Sequence, residues 1–267
     1  MSPVCNQRAS GMQGVGGTVD TMIANHARSS LHPTELGTIL SVWAHPDDES
    51  FLAGGIMAEA AANGQRVVCV SATAGEHGTD DPDEWPPDRL GRLRRWEARA
   101  AMAVLGVDDH RWLGLSDGGL AETDADGPID DIAGLIDEVR PDTILTFGPD
   151  GMTFHPDHCT ISAWVTEAWR RRGATGRLLH AAASVSHLET WGERYEAWGI
   201  YMTDERHVGI PDDRLAVRHP LSPTTLDQKV TALLAMHSQV APALTVLGPD
   251  DFRAENAVEC FVACAPS

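Results

Sequence analysis

Apolar residues gather in short unbroken runs along this chain: GTILSVWA (37–44), RVVCVSATA (66–74), DTILTFG (142–148) and RLLHAAASV (177–185). Runs of this length, rich in β-branched residues and bounded by turn formers, predict buried strands. HRWLGL (110–115) reads as a further, shorter strand. Between them, apolar positions recur at helical spacing and predict helices over 51–64, 88–107, 127–141 and 157–173. Asn63-Gly64 marks a C-terminal cap, Asp88 an N-terminal one, and Pro141 stops the third helix. Strands alternating with helices predict an α/β fold. Its architecture is a Rossmann-like sandwich, with a mostly parallel central sheet and helices on both faces.

The last third is less regular. Residues 187–210 mix aromatic and polar side chains too freely for a central strand. A helix is expected from about Thr225 within 220–239, and 255–266 reads as a final strand or helix. Residues 1–35, rich in Gly, Ser and polar residues, predict a loosely ordered arm with one short helix near 18–30. Residues 36–267 then form a single domain, and no repeat period divides it.

Composition narrows the function. The net charge is −19, with 39 acidic against 20 basic residues, so a nucleic-acid backbone or an anionic membrane surface would be repelled. No apolar stretch approaches the ~20 residues of a membrane helix. The N-terminus lacks the basic start and apolar block of a secretory signal. Five cysteines, an odd number without a tight framework, point to a reducing, cytoplasmic setting. No P-loop is present, and the glycines of 11–17 do not follow a strand as a dinucleotide-binding turn requires.

Two clusters carry the chemistry. HPDDE (45–49) follows the first strand, and HPDH (155–158) follows the fourth strand and opens a helix. In an open α/β sheet ligands collect outside the carboxyl ends of strands, so both clusters face one edge and can converge on one ligand. Pro46 and Pro156 stiffen the two turns. Imidazoles with a carboxylate suit a first-row divalent metal, zinc foremost. Successive residues of a tight loop face different ways, so one Asp of the HPDDE pair can hold metal while the other takes a proton from water.

AHPDDE and HPDH, with the strand spacing around them, resemble the LmbE-like N-acetylglucosamine deacetylases, relatives of the glycosylphosphatidylinositol de-N-acetylases. Supporting matches are Arg94–Glu97 as RxxE, SDGGL at 116–120 and HSQ at 237–239, and the resemblance spans roughly 37–240. It implies that His45, Asp48 and His158 bind Zn²⁺. Asp47 is then the general base, and His155 polarises the substrate or steadies the oxyanion. It also implies that Asp157 orients a neighbouring histidine and that Asp117 sits near sugar hydroxyls. Glu49 reads as a structural cap of the following helix. The implied reaction is zinc-assisted amide hydrolysis, releasing acetate and a free amine from an N-acetylglucosaminyl group.

Mycothiol-type members carry a tyrosine two residues before the first histidine of the second motif. Here that position is Thr153, followed by Phe154. The missing phenol weighs against a small thiol-precursor substrate. The chain as a whole resembles the deacetylases that tailor glycopeptide antibiotics, which implies a glycosylated peptide or similar natural product as substrate. The alternatives are a thiol-precursor glycoside, a chitin oligomer, a longer acyl chain, or metal and sugar binding without catalysis. The loop at 75–88, with Glu76, His77 and Trp85, and the aromatics Trp191, Tyr195, Trp198 and Tyr201 are expected to wall the site. His237, read as ending a helix, is a further candidate, whereas Cys159 reads as a buried structural thiol. The sequence carries no sign of oligomeric state.

Overall fold

The structure, a computed structural model, describes residues 30–265. Seven strands form one mixed sheet in the order β3-β2-β1-β4-β5-β7-β6. They are β1 (Ile39–Trp43), β2 (Val67–Ser71), β3 (Asp109–Trp112), β4 (Thr143–Phe147), β5 (Arg177–Ala181), β6 (Val217–Pro220) and β7 (Val258–Ala263). The neighbours among β1 to β5 all pair in parallel, while β7 runs antiparallel to both β5 and β6. Strands β1, β2 and β4 are buried at every position, which explains their apolar runs.

The helices are α1 (Asp48–Ala62), α2 (Pro87–Leu105), α3 (Asp126–Val139), α4 (Pro156–Arg171), α5 (Val185–Trp198), α6 (Pro223–Ala235) and α7 (His237–Glu255). Helices α1, α2 and α6 pack on one another, and α3 packs on α4. Strand order reverses between β1 and β4. Right-handed crossovers therefore place these two helix groups on opposite faces of the sheet. That reversal is the topological switch point, where the ends of neighbouring strands open a crevice. The loops after β1 and β4 carry the two histidine motifs.

Several boundaries differ from expectation. Helix α1 starts at Asp48, three residues before the apolar run at 51, because the acids of its first turn suit the helix dipole. Helix α2 is capped by Pro86 with Pro87 at its first position, and Asp88 lies inside its first turn. The segment at 187–210 contributes α5, capped by Ser184, whose hydroxyl accepts the His187 N–H. His237 does not end a helix. Met236 breaks the chain between α6 and α7, and His237 is the exposed first residue of α7. The final segment is the strand β7.

The helix expected near 18–30 lies outside the described residues. Residues 30–35, assigned from sequence to the arm, pack on the body: the Leu31 N–H donates to Ala216 O at 2.9 Å, and Pro33 is buried. No single described helix is long and apolar enough to cross a membrane.

Candidate active site

Local backbone geometry aims the first cluster. Asp47 takes φ 125, a conformation that costs energy for a residue with a side chain. Neighbours hold it there: Glu49 Oε2 accepts the Asp47 N–H at 3.1 Å, and Arg94 Nη2 donates to Pro46 O at 2.7 Å. Glu49, fully buried, thus reaches back from the first turn of α1 as a cap. Asp47 then meets Arg94, while Asp48 meets His45 and His158.

In the second cluster His155 caps α4, its Nδ1 accepting the Asp157 N–H at 3.1 Å. A neutral ring that accepts at Nδ1 carries its proton on Nε2. His158 follows one turn in. Its Nδ1 lies 2.9 Å from Gly151 O, a carbonyl acceptor, so the proton sits on Nδ1 and Nε2 keeps a free lone pair. Gly151 has φ 62, and a Cβ there would stand 2.6 Å from the His158 Cβ, so this close approach requires glycine.

The two clusters meet. His45 Nδ1 lies 3.1 Å from His158 Nε2, Asp48 Oδ1 lies 3.4 Å from His158 Nε2, and Asp48 Oδ2 lies 3.7 Å from His45 Nδ1. Tetrahedral ligand atoms around a zinc-sized cation stand about 3.4 Å apart, so these donors fit one. The remaining His45 nitrogen, Nε2, faces Asp117 Oδ1 at 2.9 Å and Asp157 Oδ2 at 3.3 Å. Metal-binding histidines are commonly backed in this way by carboxylates, and His158 is backed by the Gly151 carbonyl. His155 also groups with His45 and His158, their ring nitrogens lying within 4.8 Å of one another.

The electrostatics favour a cation. Burial works against charge on His45, but Asp117, Asp157 and Asp48 overcome it and raise its pKa to about 10. A divalent ion would feel the same field. Burial and the His45 charge hold His158 down at about 3. Burial, with His158 and His45, holds His155 down at about 4. Both rings are therefore neutral at pH 7. Burial raises Asp47 to about 7, while Arg94, 3.3 Å away, pulls in the opposite direction. Glu49 rises to about 8 through burial and the charge of Asp47.

Other candidates fall into place unevenly. Asp157 holds the Gly118 and Leu120 N–H groups as well as His45. Asp117 is turned onto His45 and the His77 N–H rather than left free for a sugar, although it still lines the cavity. Glu76 accepts the Asp117 N–H, which shapes the same loop. Cys159 is partly buried and takes no part in the donor cluster. His237 does not line the cavity, whereas Gln239 does. The Arg94–Glu97 motif splits its work. Arg94 steadies Asp47, while Glu97 accepts the Ser238 N–H at 2.9 Å and ties α2 to α7. Arg94 was not singled out as a site residue from sequence. Its only signal was the RxxE spacing.

A cavity of about 520 Å³ opens above the cluster. His77 and Gly78 form one side, and Leu188, Tyr195, Trp198, Ile200, Tyr201 and Met202 form another. Three of the expected wall residues lie elsewhere. Glu76 is turned onto the Asp117 N–H, Trp191 is buried beneath Arg194, and Trp85 stacks under Arg89.

Residues 40–169 match the protein family described as "GlcNAc-PI de-N-acetylase". A 1D-myo-inositol 2-acetamido-2-deoxy-alpha-D-glucopyranoside deacetylase of Saccharomonospora viridis is 31% identical over 247 residues, covering 82% of this chain and 90% of the relative. Among solved structures, the N,N'-diacetylchitobiose deacetylase of Pyrococcus horikoshii aligns with TM-score 0.60 at 19% identity, covering 87% of this chain and 85% of that one. The deacetylase of the A40926 pseudoaglycone aligns with TM-score 0.56 at 24% identity, covering 80% and 86%. At these identities the solved structures establish the shared fold alone.

Proposed function

The chain belongs to the GlcNAc-PI de-N-acetylase family, and we propose that it hydrolyses the acetamide of an N-acetylglucosaminyl glycoside with the help of one Zn²⁺. The observation that carries this reading is the convergence of His45 Nδ1, His158 Nε2 and the Asp48 carboxylate, with a second carboxylate, Asp47, beside them. That second carboxylate also weighs against metal and sugar binding without catalysis.

Zinc held by His45, Asp48 and His158 would supply Lewis-acid polarisation of the acetyl carbonyl and acidify a water molecule. The side chains of this chain do the rest. Asp47, lifted to about 7 by burial and steadied by Arg94, accepts the proton of the attacking water. Neutral His155, with its proton on Nε2 and its ring on the cavity wall, donates to the carbonyl oxygen as negative charge builds there. Asp47 then returns its proton to the departing amine, and acetate is released. Asp117 and Asp157 hold the His45 ring in the orientation that presents Nδ1. A reducing, cytoplasmic setting belongs to the same proposal, with Cys69, Cys159, Cys260 and Cys264 free.

For the acceptor we propose a bulky, partly aromatic aglycone of the glycopeptide kind. The wall from Leu188 to Met202 supports this, because it offers apolar and aromatic faces where a polyol would need donors and acceptors. Thr153 stands where mycothiol-type enzymes have a phenol, which points the same way. The likeness to inositol-glycoside deacetylases favours a second reading, a pseudodisaccharide substrate.

One assay series separates them. Release of free amine and of the acid is followed for free N-acetylglucosamine, an inositol pseudodisaccharide, a chitin oligomer and a glycopeptide pseudoaglycone. Contacts remote from the amide can be used in the transition state, so the pseudoaglycone should lead in kcat/KM, with acetate as the acid. Equal or better turnover of the pseudodisaccharide would replace the glycopeptide reading. A longer acid would change the acyl class, and no acid from any substrate would remove the catalytic reading.

A further inference from the structure

We propose a second divalent-cation site, built by His32, Glu59 and His219 at the far end of α1 from the first. One ligand atom from each of these residues lies within 4.8 Å of the other two. His219 Nε2 stands 2.9 Å from Glu59 Oε2, and the rings of His32 and His219 meet edge to face at 5.2 Å. Two imidazoles and one carboxylate, open on one side, make a donor set that zinc accepts. Asp48 and Glu59 are eleven residues apart on one helix, a rise of about 16 Å, so the two sites share no ligand.

Neighbouring groups orient the donors. Glu59 Oε1 accepts the Thr225 hydroxyl at 2.8 Å, which leaves Oε2 facing His219. His32 Nδ1 lies 3.0 Å from Thr34 Oγ1, so Nε2 is the nitrogen left for a cation. Binding there would shift the ring proton to Nδ1, and the Thr34 hydroxyl is placed to accept it. The shift gives up the acceptor role of Nδ1 as cap of the Pro33–Glu35 turn, whose contact from the Thr34 N–H is long, 3.4 Å. Hydrogen bonds from the His32 N–H to Glu35 at 2.8 Å and from the Leu31 N–H to Ala216 fix the backbone that carries the ring.

The three residues come from different parts of the chain. His32 belongs to the segment leading into the domain, Glu59 to the C-terminal half of α1 and His219 to the edge strand β6. A shared cation would pin that segment to the body by closing long loops. His219 is only 8% exposed while His32 is open to solvent, so the site is anchored in the body yet has an entry path. This exposure makes the second ion exchangeable, whereas the ion at buried His45 and His158 is retained.

The test is a Zn²⁺ titration of the full chain against a chromogenic competing chelator, after dialysis, for the native protein, His32→Ala and His219→Gln. The native protein should take up one further, exchangeable equivalent, and added Zn²⁺ should raise its Tm. Each variant should lose that uptake and the Tm response while keeping its retained zinc and its deacetylase turnover. His32→Ala alters an exposed side chain, so its folding is not at issue. Unchanged uptake in both variants, or no exchangeable equivalent in the native protein, would overturn the proposal.

Discussion

Arg94 Nη2 lies 3.3 Å from Asp47 Oδ2 while it donates to the neighbouring Pro46 carbonyl at 2.7 Å. One guanidinium from α2 thus fixes both the backbone and the charge of the candidate base. Burial raises the Asp47 pKa and Arg94 lowers it, so removing Arg94 lets the rise go further. A base works ionised, and the acid limb of kcat/KM should move to higher pH in Arg94→Gln, by on the order of one unit. The check is the pH profile of holoenzyme variants at equal zinc content. An acid limb that does not move would separate Arg94 from the base.

The carboxylates behind His45 should tune metal affinity without setting the ligand count. Asp117→Asn and Asp157→Asn are each expected to weaken zinc binding by about 10–100-fold, because the ring loses a charged acceptor at Nε2. Asp157→Asn should have the larger effect, since Asp157 also holds the N–H groups of Gly118 and Leu120. Competition with a chelator measures both. Native affinity in the two variants would mean that His45 is not a ligand through Nδ1.

A pH-dependent stability term should come from outside the site. His110 on β3 is held down at about 4 by burial and by the charges of Arg95 and Arg99, against an ordinary value of 6.5. Its folded-state pKa is depressed, so its contribution is complete above 6.5 and is lost as pH falls from 6.5 towards 4. In that window the unfolded chain binds a proton that the folded one refuses. The loss should amount to ~1–3 kcal/mol, and His110→Gln should remove it. Urea midpoints of both proteins at pH 7 and pH 4.5 make the comparison. An identical drop in both would discard the assignment.

The legible parts of this molecule are those where one physical signal dominates. Strands β1 and β4 are buried at every position, and a His-Pro-Asp motif follows each, at once after β1 and beyond the loop 148–154 after β4, so strand, sheet edge and motif could be read together. Helix α5 gave no comparable signal because only Trp191 and Tyr195 of its residues are buried, one narrow stripe. Helix α7 carries Pro242 and Pro249 and breaks at Gly248, which hides its period. Strand β6 is four residues long and alternates buried with exposed positions. At the site, the motif residues were visible but the pairing of Asp117 with His45 was not. That pairing depends on how the loop after β3 folds back, which no local pattern encodes.

The central claim is that His45, Asp48 and His158 together hold the catalytic zinc. The most direct measurement is elemental analysis of zinc in His158→Ala after dialysis against a mild chelator, beside the native protein. His158 is 8% exposed and its Nε2 faces both other donors, so its loss leaves an incomplete site. The native protein should keep about one equivalent and His158→Ala almost none. Full retention of zinc in His158→Ala would contradict the account.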